Sequence, residues 1–524
     1  MLVSIVLDEP LPHYTNLDTI SGRVIIRATS NTSVSSVVVK LEGESRTRLV
    51  PPQNPQFNNS KPRPVLEIHK VCRLHRCADF ARILYKTATV FPPPNLQTAD
   101  WESRKFTLNL GNYEYPFSFK LPFNNACHTT TSLTGGFNLA TLEVARPPTK
   151  HVKQTLPPSL TGFPGEAEIR YYVKCTVNRP SILKENPRAF VHFNFLPIEP
   201  PRPQKFDGEA YARRQHQFNP RWVPPTERKS GLWDKLKGEK STPPGSPTKD
   251  GVDLVRFSLD ARLPNPAILT LNDDLPLRVL VKQINERSDP VYLQMLQIEL
   301  VGYTSVRAHE LTRIESNSWI IASFSNMAIP IGAPSDVPGT ETPINPEYWS
   351  GKPLPNTVSP SFDTCNISRY YELEVRVGLG YGSYKPGQDQ MVVLPLRLPV
   401  KVFSGIEPPQ ALLHAMASAK PTLPQRKPVP GSAAMPPLKT GGPVMEASAP
   451  PYHTPMTPIE GGAGHGPAPQ GQYASGHGEN YEDAPPSYED AVAHDMPAVD
   501  GPRRDYAPPP VPEDAPRFSH DEKR

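Results

Sequence analysis

Runs in which apolar and polar residues alternate recur along most of this chain, and they constrain its fold more than any other feature. Side chains of a strand point alternately to its two faces, so a period of two predicts a strand with one buried face. Many short strands without helical crossovers between them predict an antiparallel β-sandwich. Gly22 and Gly43 indicate a bulge or a close approach between neighbouring strands. In the first half of the chain the runs lie at residues 3–7, 24–28, 37–41, 106–110, 115–121, 169–175 and 190–196.

A second group of alternating runs follows after a long interval and predicts a second sandwich. Its alternation changes phase between Met295 and Leu296, which indicates a β-bulge. Pro395 and Pro399 place the last run at a sheet edge, because proline has no N–H to donate to a strand ladder. The runs of this group lie at residues 277–281, 291–300, 371–379 and 394–402.

The proline content supports an all-β protein with long irregular segments. The chain has 68 prolines among 524 residues, well over twice the typical share of about 5%. This content excludes a mostly helical protein, because proline breaks the hydrogen bonds of helix interiors. A chain of this length also exceeds a single hydrophobic core. We therefore expect an N-terminal sandwich, a flexible linker, a C-terminal sandwich and a disordered tail, at residues 1–198, 199–250, 251–405 and 406–524.

The predicted linker is rich in proline, arginine and lysine, a composition typical of flexible segments. Thr242 and Ser246 each precede a proline and are candidate sites for proline-directed kinases. Ser230 follows an Arg-Lys pair and suits a basophilic kinase. Phosphates there would reduce the basic charge and create a docking site. Within the linker, residues 232–240 suggest a short amphipathic helix with flanking lysines, which fits either contact with an anionic membrane or packing on a neighbouring domain.

The tail contains the motif Pro485-Pro486-Ser487-Tyr488. Two consecutive prolines hold a polyproline II turn before any partner arrives, and the tyrosine falls one turn along the same face. This is the PPxY pattern that WW domains bind, so Pro485, Pro486 and Tyr488 form the predicted WW-binding site. The sequence around Tyr452 lacks the spacer residue between proline and tyrosine. Residues 508–512, near Arg503 and Arg504, have the composition of a generic polyproline ligand.

Charge and targeting features narrow the function classes. The formal net charge is +4, too small for its length to indicate a nucleic-acid binder. The N-terminus lacks the pattern of a secretory signal, and no run of about 18 apolar residues spans a bilayer. We therefore expect a soluble, intracellular protein whose five cysteines are reduced thiols.

Chemical motifs point away from catalysis. The chain has no Gly-x-Ser-x-Gly, no phosphate-binding Gly-x-x-x-x-Gly-Lys and no His-Glu-x-x-His. His69, Cys72, His75 and Cys77 lie close enough in sequence to supply four zinc ligands, but their irregular spacing within one basic stretch favours an exposed strand or loop. The sequence therefore predicts neither a catalytic residue nor a cofactor.

Several segments resemble a known family. Residues 114–122, 156–160 and 169–180 resemble the arrestin N-domain of the fungal-type α-arrestins, the arrestin-related trafficking adaptors. Residues 271–277, 298–303 and 396–403 are similar to an arrestin C-domain. The resemblance implies two tandem arrestin-like, immunoglobulin-type sandwiches over residues 1–405.

The resemblance also implies a function. Such a protein binds the cytosolic parts of plasma-membrane transporters or receptors and recruits a HECT-type ubiquitin ligase through its PPxY motif. The cargo is then ubiquitylated and endocytosed, while the adaptor works in the cytoplasm and at the plasma membrane or endosomes. The alternative is an arrestin-fold scaffold in signalling or in retromer-like endosomal sorting, without ubiquitin. In neither case is nucleic acid a partner.

Overall fold

Two β-sandwiches in tandem form the body of the protein, as predicted. The computed structural model describes residues 1–52, 64–69, 84–97, 105–125, 154–163, 165–181, 184–218, 255–287, 289–382, 390–418, 488–499 and 503–509. Within these ranges nearly all regular structure is β-strand, with two short helices. The predicted all-β fold is therefore confirmed.

The first sandwich has one sheet of order β1-β2-β8 and one of order β11-β10-β4-β5. Strand β6 also pairs with β4, β9 pairs with β10, and β3 and β7 form a separate ribbon. The strands are β1 (Leu2–Leu7), β2 (Thr19–Ala28), β3 (Thr32–Val34), β4 (Ser36–Leu49), β5 (Val65–His69), β6 (Leu84–Phe91), β7 (Phe106–Leu108), β8 (Gly111–Lys120), β9 (Leu160–Phe163), β10 (Ala167–Asn178) and β11 (Arg188–Phe193).

The alternating residues of the first sandwich fill its core. Val24 and Ile26 of β2 and Val39 of β4 are fully buried, as are Ile169 and Val173 of β10. The buried residues of each strand point to the same face of the sheet, because side chains alternate between the two faces with a period of two. The pattern that predicted these strands is thus the pattern that packs them.

Gly43 of β4 lies against closely packed side chains of the core. A Cβ added there would be 2.7 Å from Cε1 of Tyr171 and 2.9 Å from Cβ of Leu84. The Tyr171 ring is fully buried, and its hydroxyl donates to the Pro157 carbonyl at 2.7 Å. The close approach indicated by the sequence is therefore confirmed.

We expect Gly43→Ala to lower the free energy of unfolding by about 1–3 kcal/mol, because overpacking moves side chains off their preferred rotamers. Chemical denaturation measures the change. Gly162→Ala is the control, since a Cβ on Gly162 of β9 would meet no atom within 4 Å. Equal stability of the two variants would contradict the prediction.

The second sandwich has one sheet of order β12-β13-β15-β18 and one of order β14-β21-β20-β16-β17, with β19 on β20. Its ladders are antiparallel except for β14 on β21. The strands are β12 (Glu209–Gln217), β13 (Arg256–Pro264), β14 (Ile268–Thr270), β15 (Arg278–Gln283), β16 (Val291–Ala308), β17 (Leu311–Pro330), β18 (Glu341–Pro343), β19 (Phe362–Asp363), β20 (Ile367–Tyr381) and β21 (Gln390–Phe403).

Two local features of this sandwich were predicted correctly. The ladders of β16 shift register between Leu293 and Met295, which is the expected bulge. In β21, Pro395 and Pro399 pair with β20 on one side, and β14 joins the other side only from Lys401 onwards. The two prolines therefore lie on the edge portion of the strand, where no ladder needs their missing N–H.

The prediction of a flexible linker over residues 199–250 is wrong for its first part. Residues 209–217 form β12, which pairs along its whole length with β13. Arg213 donates to both carboxylate oxygens of Asp260, each at 2.7 Å, and Ala212 packs against the core. The strand was missed because its sequence is mostly polar, as an edge strand facing solvent can be.

Asp260 makes the stability of this edge depend on pH. Its carboxylate is 3% exposed, and the Arg213 guanidinium, followed by that of Arg262, lowers the pKa of Asp260 from 3.8 to about 2. A depressed folded-state pKa contributes stability that is complete above about pH 4 and is lost as the pH falls towards 2. We expect Asp260→Asn to flatten this part of the pH profile of the urea midpoint. A profile as steep as that of the unaltered chain would contradict the assignment.

The prediction of a disordered tail over residues 406–524 is also wrong in part. Helix α1 (Gln410–Ser418) and helix α2 (Tyr488–Asp495) are regular, and residues 503–509 lie against both sandwiches. These segments are ordered because their side chains find partners on the folded body.

Candidate functional site

The two sandwiches meet where the turn between β16 and β17 reaches β4 and β5. Arg307 donates from Nη2 to Oε1 of Glu67 at 2.9 Å, and Thr47 Oγ1 donates to the Arg307 carbonyl at 2.6 Å. The backbone N–H of His309 also donates to Glu67, which is fully buried. Val306 is part of the buried core of the first sandwich. The second sandwich thus completes the core of the first.

Asn366 adds a second polar contact at this junction. Its side-chain oxygen accepts from Ser45 Oγ at 2.7 Å, and its Nδ2 donates to Thr47 Oγ1 at 3.2 Å and to the Ser45 carbonyl at 3.3 Å. Asn366 is 2% exposed. A satisfied buried polar network favours one relative arrangement of the groups it joins. The junction therefore fixes how the two sandwiches face each other.

The C-terminal segments lie in a cleft beside this junction. We call residues 488–499 and 503–509 the docked tail and the cleft that holds it the tail seat. Arg503 forms an ion pair with the buried Asp18 at 2.6 Å, on the first sandwich. Arg504 forms one with Asp273 at 2.8 Å, on the second. Two consecutive arginines therefore join the two domains.

Between these domains, Tyr506 is inserted into the tail seat. It is 3% exposed and belongs to the core of the second sandwich, while its hydroxyl donates to the Ser159 carbonyl of the first at 2.7 Å. Burial raises the pKa of Tyr506. The ring also meets His13 edge-on at a centroid distance of 6.4 Å, and burial together with Arg503 lowers the pKa of His13. The phenol therefore stays neutral and acts as a buried anchor.

The backbone between and after these anchors is bound as well. Asn272 Nδ2 donates to the Asp505 carbonyl at 3.0 Å, and the Ala507 N–H donates to the Asn356 carbonyl at 3.1 Å. Thr161 Oγ1 donates to the Pro509 carbonyl at 2.5 Å. Residues 503–509 are thus held as an extended peptide along the cleft.

Helix α2 is fastened to the first sandwich by its C-terminal half. Ala493 is 3% exposed and packs in a small cluster with Leu17, Phe123 and Leu412. Lys120 Nζ donates to the His494 carbonyl at 2.6 Å and also to that of Met496. An ammonium group at a helix C-terminus is favoured by the helix dipole.

A cavity of about 290 Å³ opens between the sandwiches next to this cluster. Its wall is mainly apolar, with Leu156 and Ile198 on one side and Phe362 and Phe403 on the other. The carboxylate of Glu199 at its rim pairs with Arg202 at 2.5 Å.

Of the predicted WW-binding residues, only Tyr488 falls within the docked tail. Tyr488 is the first residue of α2, whereas Pro485 and Pro486 lie outside the described residues. The candidate phosphorylation sites Ser230, Thr242 and Ser246 lie outside them too. The structure therefore places the backbone of Tyr488 in α2, and the roles of all six positions remain predictions.

Of the four candidate metal ligands, only His69 lies within the described part of the chain. His69 ends β5, and Cys72, His75 and Cys77 lie outside that part. Among the described residues, no three His, Cys, Asp or Glu side chains lie close enough together to hold a metal ion. Cys175 and Cys365 are buried and form no disulfide with each other, and burial raises the pKa of Cys175 to about 12. No described helix has the length and apolar character needed to cross a bilayer.

Sequence reasoning missed the tail seat. Arg503-Arg504-Asp505-Tyr506 is a charged and aromatic cluster in a tail otherwise rich in proline, glycine and alanine. This contrast is the signal that could have indicated a bound segment. From the sequence alone, Arg503 and Arg504 stood out only as neighbours of a polyproline run.

Comparisons with known proteins agree with the N-terminal segments that carry the family resemblance. Residues 3–193 match the family model "Arrestin (or S-antigen), N-terminal domain". Over 135 residues the chain is 30% identical to "Arrestin-related trafficking adapter 10" of Lachancea thermotolerans, an alignment that covers 24% of this chain and 28% of that relative. The alignment thus spans less than a third of the relative's length. Both matches agree with the predicted resemblance of the chain to the α-arrestins, which is therefore confirmed.

Proposed function

We propose, on the premise of this arrestin assignment, that the chain is a ubiquitin-ligase adaptor. Its sandwiches bind the cytosolic part of a plasma-membrane transporter or receptor, and Pro485, Pro486 and Tyr488 recruit a WW-domain HECT-type ligase. The observation that carries the proposal is that one chain joins an arrestin N-terminal domain to a PPxY motif. The similarity to a trafficking adapter supports the transport part of the proposal.

In this mechanism the chain makes and breaks no bond itself. It holds a ligase and a cargo on one body, so that transfer to a cargo lysine becomes nearly intramolecular. The rigid junction suits this role, because a fixed arrangement of the two sandwiches presents one constant surface to the cargo. The site of action is then the cytoplasmic side of the plasma membrane or of endosomes.

The chemistry of the motif sets the strength of recruitment. The two prolines lose little backbone entropy on binding, and the tyrosine ring fills an aromatic-lined groove. A single peptide contact of this size reaches about micromolar affinity. Such a contact suits an adaptor that must release its ligase after each cycle.

Replacing Tyr488 with alanine tests the proposal. Loss of a hot-spot aromatic costs about 2 kcal/mol or more, so we expect affinity of the full chain for a purified WW module to fall at least about 30-fold. The matched control is Tyr452→Ala, because residues 450–452 are Pro-Pro-Tyr without the spacer. That control is expected to bind like the unaltered chain.

Cells expressing the two variants separate the adaptor from a scaffold that works without ubiquitin. The Tyr488→Ala chain is expected to retain its cargo in pull-downs while ubiquitylation of that cargo disappears. Retained WW binding or unchanged cargo ubiquitylation in this variant would refute recruitment through the motif. The linker sites Ser230, Thr242 and Ser246 remain proposed regulatory positions, which alanine substitution followed by the same two assays addresses.

A further inference from the structure

We propose that the tail seat is a binding site for the chain's own Arg-Arg-x-Tyr segment, and that a filled seat withholds the PPxY motif from a WW domain. This inference rests on the proposed function and adds a regulatory state to it. The seat and the motif belong to one continuous C-terminal region, in which Tyr488 and Arg503 are 15 residues apart.

The seat has the chemistry of a selective peptide site. A buried carboxylate, Asp18, and a half-exposed one, Asp273, receive the two consecutive guanidinium groups. Arg504 also donates to the Leu271 carbonyl at 2.5 Å and to the Gly405 carbonyl at 3.2 Å. Charge-assisted hydrogen bonds with buried partners are the strong ones. The seat therefore selects adjacent arginines by charge and geometry together.

The aromatic position adds a second requirement. Tyr506 inserts between the sandwiches, with a hydrogen bond to one and apolar packing against the other. Its slot is built from both domains, so the site exists only when they are packed together. A docked tail consequently indicates that the two sandwiches are packed against each other.

Docking limits the space around the motif. Ala493, which is packed against the first sandwich, follows Tyr488 by five residues, a rise of about 7.5 Å along the helix. A WW module of about 40 residues is about 20 Å across. A module centred on Tyr488 would therefore overlap the surface on which α2 lies. In addition, a WW groove requires the extended backbone of a polyproline ligand up to the tyrosine, whereas Tyr488 here begins a helix.

Thermodynamic coupling follows from this exclusion. If only the released tail binds the ligase, the apparent affinity falls by the fraction of molecules with a released tail. Filling the seat with a competing peptide, or removing its anchors, must then strengthen ligase binding. Because the tail is tethered, a competitor in trans has to overcome a high effective concentration.

The test measures binding of a purified WW module to the full chain by calorimetry. The double variant Arg503→Ala/Tyr506→Ala removes two anchors without altering any residue of the β-strands. We expect it to bind the module at least about tenfold more tightly than the unaltered chain. The control Arg517→Ala/Phe518→Ala loses the same kinds of side chain further along the tail and is expected to bind like the unaltered chain. A synthetic peptide of residues 500–511 in excess should strengthen binding to the unaltered chain and have no effect on the double variant.

A synthetic peptide of residues 480–492 distinguishes recruitment through the PPxY motif from control of that motif by the tail seat. If it binds the module as tightly as the double variant does, and both bind more tightly than the unaltered chain, the motif works and the seat controls it. If the peptide, the unaltered chain and the double variant all bind equally, and the competitor changes nothing, the withholding is refuted while the proposed function stands. If the peptide itself does not bind, recruitment through PPxY fails and this inference fails with it.

Discussion

Replacing Arg307 with alanine is expected to lower the free energy of unfolding by about 3–5 kcal/mol, because it removes a cation from a buried carboxylate. Glu67 has no exposed surface, and Arg307 Nη2 lies 2.9 Å from its Oε1. The same guanidinium donates through Nε to the Cys365 carbonyl at 3.1 Å. The variant thus weakens contacts to the first sandwich and within the second.

Thermal and urea unfolding of the variant measure this loss. Because the lost contacts join two domains, we also expect the single transition of the unaltered chain to broaden or split in two. Arg313→Ala is a matched control, since Arg313 also bridges the domains, to Glu166 at 3.0 Å, but both side chains are more than a third exposed. Exposed pairs contribute about 0–1 kcal/mol. Equal losses from the two variants would mean that burial of Glu67 does not govern the junction.

Replacing Tyr506 with alanine is expected to release the docked tail. The change removes a ring that is 3% exposed, and truncations of large buried aromatic side chains cost about 3–5 kcal/mol. Hydrogen exchange at the backbone of residues 503–509 should therefore accelerate by about 100-fold or more. Exchange within β10 and β20 is expected to change little, because those ladders do not include the tail.

Tyr506→Phe is the graded control for this experiment. It keeps the ring and removes only the hydroxyl that donates to the Ser159 carbonyl at 2.7 Å. A net hydrogen bond is worth about 1 kcal/mol, so exchange should rise only several-fold. If alanine and phenylalanine accelerate exchange equally, the apolar slot contributes nothing and the hydroxyl alone anchors the tail.

The strands were predictable because their signal is local. The alternation at residues 371–379 needs no knowledge of the partner strand, since each buried side chain is two positions from the next. The bulge in β16 was readable for the same reason, because one extra residue changes the phase of the pattern. In contrast, β12 has few apolar residues, and its place in a sheet depends on Asp260, which is 47 residues away from Arg213.

The junction and the tail seat were not predictable, because their partners are distant in sequence. Ser45 and Asn366 are 321 residues apart, and Asp18 and Arg503 are 485 apart. A buried asparagine or a paired arginine looks like any surface polar residue until the partner is known. The PPxY motif lies at the other extreme, since its recognition depends on four consecutive residues. The contacts that α2 makes with the first sandwich, in contrast, can be known only from the three-dimensional structure.

The slot for Tyr506 also implies an order of assembly during synthesis. Both of its walls, Ser159 and the core of the second sandwich, leave the ribosome before residue 506 is made. Domains generally fold as units from the N-terminal side as the chain emerges. The docked tail is therefore the last segment to pack, and a newly made chain passes through a stage in which its two domains are already folded while the tail seat is still empty.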